Sequence, residues 1–167
     1  GRPQDGNYKN FILYHNDEHN ENLYYFSAPK IGQIEMGDPT RPSLYDSSFA
    51  FSGHSTGLTI DGDYLYTGIS DAENSGLAIL PIPEGNINPA VSSMLEIEAD
   101  INSKPAVYGD YAYIAARNDG FFIIDISDKD NPREVAQIES RRESYDLDVE
   151  NGFLYVADGN LNIYDLD

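Results

Sequence analysis

Short runs of alternating apolar and polar residues, broken by clusters of Gly, Asn, Asp and Pro, dominate this chain. A period of two places successive side chains on opposite faces of a strand. Three stretches repeat the pattern closely: Ile60-Asp61-Gly62-Asp63-Tyr64-Leu65-Tyr66, Val107-Tyr108-Gly109-Asp110-Tyr111-Ala112-Tyr113 and Val149-Glu150-Asn151-Gly152-Phe153-Leu154-Tyr155. Each reads as a strand end, a tight turn and a second strand. Asp61-Gly62, Gly109-Asp110 and Asn151-Gly152 supply residues that tolerate the positive φ of short hairpins. The closing tyrosines, with Tyr24 one repeat earlier, are 42, 47 and 42 residues apart. Periods in the forties are those of four-stranded propeller blades.

A third strand follows each tyrosine: Ile31–Met36, Leu77–Ile82, Phe121–Ile126 and Leu161–Leu166. An acidic residue precedes the last apolar one in each except the second, where Pro81 stands instead. A fourth strand is clearest as Glu134–Ile138 and Met94–Ile97. Proline in the preceding turns, at Pro39, Pro42 and Pro132, suits a loop or the start of an outer edge strand. No segment sustains a 3.6-residue period. The chain is therefore read as all-β: about four antiparallel propeller blades over residues 9–51, 55–98, 104–139 and 145–167, the last lacking its outer strand. The continuous apolar run Phe121–Ile126, in an interior blade, is expected to be the best-buried strand.

Phe122-Ile123-Ile124-Asp125-Ile126-Ser127, followed by Asp128 and Asn131-Pro132, resembles the LVIVD repeat of bacterial and archaeal surface β-propellers. The third copy matches almost throughout. The second and fourth match in their first three strands, and the first is degenerate, with a polar insert at residues 15–22. The resemblance implies a propeller in an extracellular or cell-surface setting. It supplies no shared catalytic motif, and one fold of this kind hosts many activities.

Charge narrows the partners. The chain has 29 acidic and 10 basic residues, a net charge of −19. Nucleic acid is excluded, because a phosphate backbone needs a basic face. Anionic membranes are disfavoured for the same reason, and no stretch is long and apolar enough to insert into a bilayer. Basic proteins, cations and neutral glycans remain. With no cysteine there are no disulfides or thiolate sites. The chain opens Gly1-Arg2-Pro3 and its last copy stops at Asp167. Three expectations follow: a longer propeller, a small ring closed by a strand from residues 7–14, or closure by self-association with other copies.

Catalytic patterns are weak. His15-Asn16-Asp17-Glu18-His19 has the spacing H-x-x-E-H, but zinc-protease chemistry needs that pattern on a helix. Here it lies between two strand-like runs, so Asn16–Asn22 is expected to be a polar hairpin loop. His15, Glu18 and His19 are at most casual metal candidates. Asp61-Gly62-Asp63 and Ser127–Asn131 are too short for a calcium loop. His54 and Ser55 are adjacent on a strand and point to opposite faces, which does not suit a nucleophile and its base. No cofactor is implied.

The blade register does locate a default site. Loops joining second to third strands share one end of the propeller with the crossovers between blades. That channel mouth gathers His54, Asp71, Glu73, Arg117, Asp119, Arg141, Arg142, Tyr145, Asp146 and Asp158. Three of the six arginines fall there, an arrangement able to hold a carboxylate or sulfate. The plainer alternative is that Arg141 and Arg142 pair with Glu139 and Glu143. Three functions fit: a non-catalytic binding or scaffold module for a protein or glycan; a self-assembling structural subunit; or a glycan-active lyase or hydrolase using Asp119 with Asp158 or Glu73.

Overall fold

The computed structural model describes residues 11–16, 20–27, 30–35, 40, 43–50, 53–71, 74–82 and 93–167. Within them are fifteen strands and no helix. The first sheet is β1 (Phe11–Asn16), β2 (Asn20–Ser27), β3 (Lys30–Glu35) and β4 (Ser43–Ala50). The second is β5 (His54–Asp61), β6 (Tyr64–Ser70), β7 (Gly76–Pro81) and β8 (Ser93–Glu96). The third is β9 (Ala106–Tyr108), β10 (Tyr111–Ala115), β11 (Phe121–Asp125) and β12 (Arg133–Ile138). The fourth is β13 (Asp146–Glu150), β14 (Phe153–Ala157) and β15 (Leu161–Asp165). Every sheet is an antiparallel meander in chain order, the fourth with three strands. These are the blades of a β-propeller, with the first strands of successive blades lying side by side: β1 against β5, β5 against β9, β9 against β13.

Turn chemistry fixes the register. Gly62 and Gly109 adopt φ of 53° and 58°, and Asn151-Gly152 adopts 52° and 79°. Only residues that accept the left-handed region close such hairpins. Tyr66, Tyr113 and Tyr155 then each stand opposite an isoleucine of the third strand, Ile79, Ile123 and Ile163. Tyr24 faces Gln33 instead.

The core lies between blades. Alternation gives each sheet a leading and a trailing apolar face. Tyr66, Leu77 and Ile79 of the second blade pack on Ala112, Ile114, Phe122 and Ile124 of the third. Ala106, Tyr113 and Phe121 of the third pack on Leu147, Leu154 and Val156 of the fourth. Tyr24 packs on the second blade with Leu65, Ala78 and Leu80. Polar links bridge the same seams near the axis: the Thr56 and Thr59 hydroxyls donate to the carbonyls of Ser103 and Pro105. The buried Tyr66 hydroxyl has no hydrogen-bond partner among the described residues. Burial, with Asp61 and Tyr64 nearby, pushes its pKa well above the usual tyrosine value.

Three expectations need correction. The hairpin joining β1 to β2 pairs His15 with Glu21 and Asn16 with Asn20. Most of the supposed loop Asn16–Asn22 is therefore strand, because ladder bonds come from the backbone and do not require apolar side chains. Among the strands whose burial is described, the best buried is β7, where Leu77, Ala78, Ile79 and Leu80 are all at most 1% exposed. In β11, Ile123 is only partly buried, since it leans on a blade with one strand fewer. Finally, Phe11–Tyr14 pairs with β2 as the first strand of its own blade, so it does not cover β15.

Candidate functional site

The second blade offers an open cleft of about 670 Å³ at the channel-mouth end. It forms where the turn after β6 meets the crossover from β8 to β9. Its lining includes Ser70, Asp71, Ser75, Glu96, Glu98 and Asp100. The segment Glu96-Ile97-Glu98-Ala99-Asp100 alternates outward acids with inward apolar residues: Ile97 is 4% exposed, while the three acids are exposed. Successive bonds from the amides of Ala99 and Ile101 to the carbonyls of Ile97 and Ala99, at 2.8 and 3.0 Å, hold this shape. Across the cleft, Ser75 ties the turn: its hydroxyl donates to the Asp71 carbonyl at 2.8 Å.

Arg117 stands at the rim. It closes the β10–β11 hairpin with φ of 40°. Its Nε lies 2.8 Å from Asp100 Oδ2 and its Nη1 3.7 Å from Glu143 Oε2. Its backbone exchanges hydrogen bonds with Ser144 at 3.1 and 2.8 Å. One arginine thereby joins the crossover entering the third blade to the crossover leaving it. With two carboxylates already on its guanidinium, it does not present a free cation to an anionic ligand. Glu143 goes to Arg117, and among the described residues neither Arg141 nor Arg142 makes an ion pair. The Arg142 chain lies over Gly159, where an added Cβ would stand 2.5 Å from Arg142 Cδ.

Several of the other expected residues make local contacts of their own. His54 opens β5 and is exposed, while Ser55 is buried and bonded to Thr67 Oγ1 at 2.7 Å. The two share no proton path. Asp158 is 8% exposed, and its Oδ1 accepts a bond from Asn162 Nδ2 at 2.8 Å. Asp119 is half-buried, and its carbonyl receives Gln137 Nε2 at 2.9 Å. Tyr145 is 53% exposed, and its carbonyl accepts Asn102 Nδ2 at 3.1 Å. Asp146 is exposed and its Oδ1 accepts the Leu147 amide. Glu73 lies outside the described residues, as do Glu18 and His19; His15 is in β1. No group of three or more His, Asp or Glu among the described residues is placed to hold a metal ion. The acids Glu96, Glu98 and Asp100 were missing from the sequence-based set, although their i, i+2, i+4 spacing carried the signal.

The LVIVD repeat family model matches residues 103–139 and 141–166, so the third and fourth blades carry two LVIVD repeats. No curated protein matches the chain significantly in sequence. Among solved structures, the computationally designed Ika4 protein superposes with a TM-score of 0.70 at 13% identity, covering 98% of this chain and 93% of that one. BBS1N, solved in complex with ARL6DN, gives 0.67 at 15% identity over 94% of this chain and 46% of its own. BamB from Moraxella catarrhalis gives 0.64 at 16% identity over 92% and 42%. The chain thus spans under half the length of these last two. Identities this low establish a common fold. Among the described residues no helix is long and apolar enough to cross a membrane.

Proposed function

We propose that the chain is a non-catalytic interaction module, extracellular or at the cell surface, whose channel-mouth end holds a basic segment of a protein partner. The observation behind this reading is the cleft of Asp71, Glu96, Glu98 and Asp100, beside which the nearest guanidinium, that of Arg117, is already paired. With the charge of Asp100 offset by Arg117, Glu96, Glu98 and Asp71 still leave the opening net negative, which favours lysine- or arginine-bearing ligands. The net charge of −19 extends the same field over the surface. LVIVD repeats in two blades, and a propeller of like fold solved with a protein partner, agree with a protein-binding role. The surface setting rests on the resemblance to surface propellers.

The test is titration with a short arginine-rich peptide, followed by calorimetry at two salt concentrations. Binding should weaken with salt and fall about tenfold in the Glu96→Gln, Glu98→Gln double variant, as expected for loss of two contacts each of about 0.7 kcal/mol. Binding that ignores both substitutions would place the partner elsewhere.

A further inference from the structure

The two crossovers that flank the third blade are built differently. The one from β8 to β9 is bonded along its length: the amides of Ile97, Ala99, Ile101 and Asn102 donate to the carbonyls of Ser75, Ile97, Ala99 and Ala115 at 2.8–3.1 Å. In the one from β12 to β13, backbone bonds begin only at Ser144, which exchanges them with Arg117, and at Tyr145, whose amide donates to the Ala157 carbonyl. Among the described residues Glu139, Ser140, Arg141, Arg142 and Glu143 make no backbone–backbone bond. Side chains pin this stretch at its ends. Ser140 Oγ lies 2.9 Å from Ser144 Oγ, and Glu143 Oε2 lies 3.7 Å from Arg117 Nη1. Between those pins Arg141 and Arg142 are both exposed, and neither is ion-paired among the described residues.

Arg141-Arg142 is also the only adjacent pair of bases in the sequence. The remaining bases are shielded in other ways. Arg2, Arg41 and Lys104 each precede a proline, whose missing N–H and fixed φ fit poorly into the extended grip of a protease. Lys30 is paired on both sides, with Ser27 and with Ala50. Arg133 is in β12 and grips Asp125 Oδ2 through Nε at 3.1 Å and Nη2 at 2.6 Å. Arg117 is bonded through backbone and side chain alike. Lys129 is half-buried, its Nζ 2.6 Å from the Ile126 carbonyl and 5.8 Å from the centre of the Tyr64 ring. Lys9 lies outside the described residues.

We propose that Arg141-Arg142 is a processing site, at which a trypsin-like endoprotease nicks the propeller between its third and fourth blades. Such an enzyme reads an arginine through a carboxylate in its specificity pocket and holds the flanking backbone as an added strand. It needs a free guanidinium on unbonded chain, and this crossover supplies both, at an exposed connection of the kind where nicking concentrates. The step is a hydrolysis. The arginine carbonyl carbon takes the oxygen of water, its C–N bond breaks, and the amine leaves with the proton. The product is a two-chain propeller. Across the cut Arg117 and Ser144 keep their paired backbone bonds, and Ala106, Tyr113 and Phe121 stay packed on Leu147, Leu154 and Val156. The lining of the acidic cleft includes no residue of this crossover, so the processing site stands apart from the basic-ligand reading of the channel mouth.

The experiment is limited digestion of the 167-residue chain with trypsin, read by intact mass. Within residues 11–167 the first cut should fall after Arg141 or Arg142, and the two pieces should co-elute in size exclusion. The Arg141→Gln, Arg142→Gln double variant, with an unchanged urea midpoint, should lose that cut and survive at least about tenfold longer. The nicked form should unfold at a urea midpoint that rises with protein concentration, as two associated chains do. Resistance of the wild type, a first cut after Lys104, Arg117, Lys129 or Arg133, or equal lifetimes of wild type and double variant overturns the proposal. So does a cleavage rate that follows global unfolding as urea is raised, since the site would then open only in the unfolded chain. Pieces that separate in buffer overturn the two-chain product.

Discussion

The seam between the second and third blades and the outward side of the fourth blade present matching residues in matching register. Leu77 and Ile79 lie opposite Gly68 and Tyr66; Leu161 and Ile163 lie opposite Ala157 and Tyr155. Yet Leu77 and Ile79 are 0% and 1% exposed, while Leu161 and Ile163 are 64% and 58% exposed. The first strands differ as well. Gly57 and Thr59 stand beside the inner seam, where Asp146 and Asp148 stand on the fourth blade. A blade's burial is therefore conferred by its neighbour, which is the physics of any stacked repeat. Asp146 and Asp148 make the outward side of the fourth blade more polar than the inner seam, with Asp148 paired to Lys104 at 3.3 Å.

The largest effect should separate these two regions outright. Leu77→Ala should cost about 2–5 kcal/mol, the range for a fully buried aliphatic truncation. Leu161→Ala, at the equivalent position, should cost under about 0.5 kcal/mol. Urea denaturation of both variants measures this, and equal costs would break the comparison.

A smaller effect sharpens it. Tyr66→Phe removes a buried hydroxyl with no partner among the described residues, so the variant should gain about 1 kcal/mol. Tyr155→Phe, at a partly exposed position, should be close to neutral in the same assay.

Asp125 provides a pH handle confined to the completed blade. Hydrogen bonds from Ser127, then from Arg133, hold its carboxyl well below the usual carboxylate range. In the unfolded chain it titrates near about 3.9. Its contribution is thus present above about pH 4 and is lost as pH falls from there through the folded value. Between about pH 5 and 2 the urea midpoint of the wild type should fall more steeply than that of Asp125→Asn. Parallel curves would refute the role of Asp125.

Asp100→Asn should have the least effect, under about 1 kcal/mol, because its pair with Arg117 is largely exposed to solvent. Thermal melts at low and high salt would show the difference shrinking as salt rises.

Much of this architecture was legible in the sequence, for particular reasons. Turn residues such as Asn151-Gly152 announce themselves through positive φ, and the tyrosine register followed from them. The apolar period of two located the strands of the second to fourth blades. The first hairpin was misread because His15–Asn22 is polar, while strand pairing there is a matter of backbone bonds. The ranking of β11 above β7 failed because apolar content says nothing of how complete the adjacent blade is. The arginine group was drawn from loop membership, which does not say which acids each arginine meets. In space, Arg117 had closer acids in Asp100 and Glu143, and the cleft came from crossover residues whose alternation continues a strand pattern.

Each sheet is drawn from one unbroken stretch of chain. During synthesis, a blade therefore has every partner for its internal ladder as soon as its own residues have left the ribosome. Contacts within it are local in sequence, which favours rapid closure. The seams must wait, because the leading face of one blade is dry only when the next has been translated. Until then Leu77, Ile79 and Tyr66 are exposed on a nascent chain that already has its ladder bonds. Translation speed across residues 98–126, which complete the trailing face that covers them, thus sets how long that surface is open to chaperones or to misassociation.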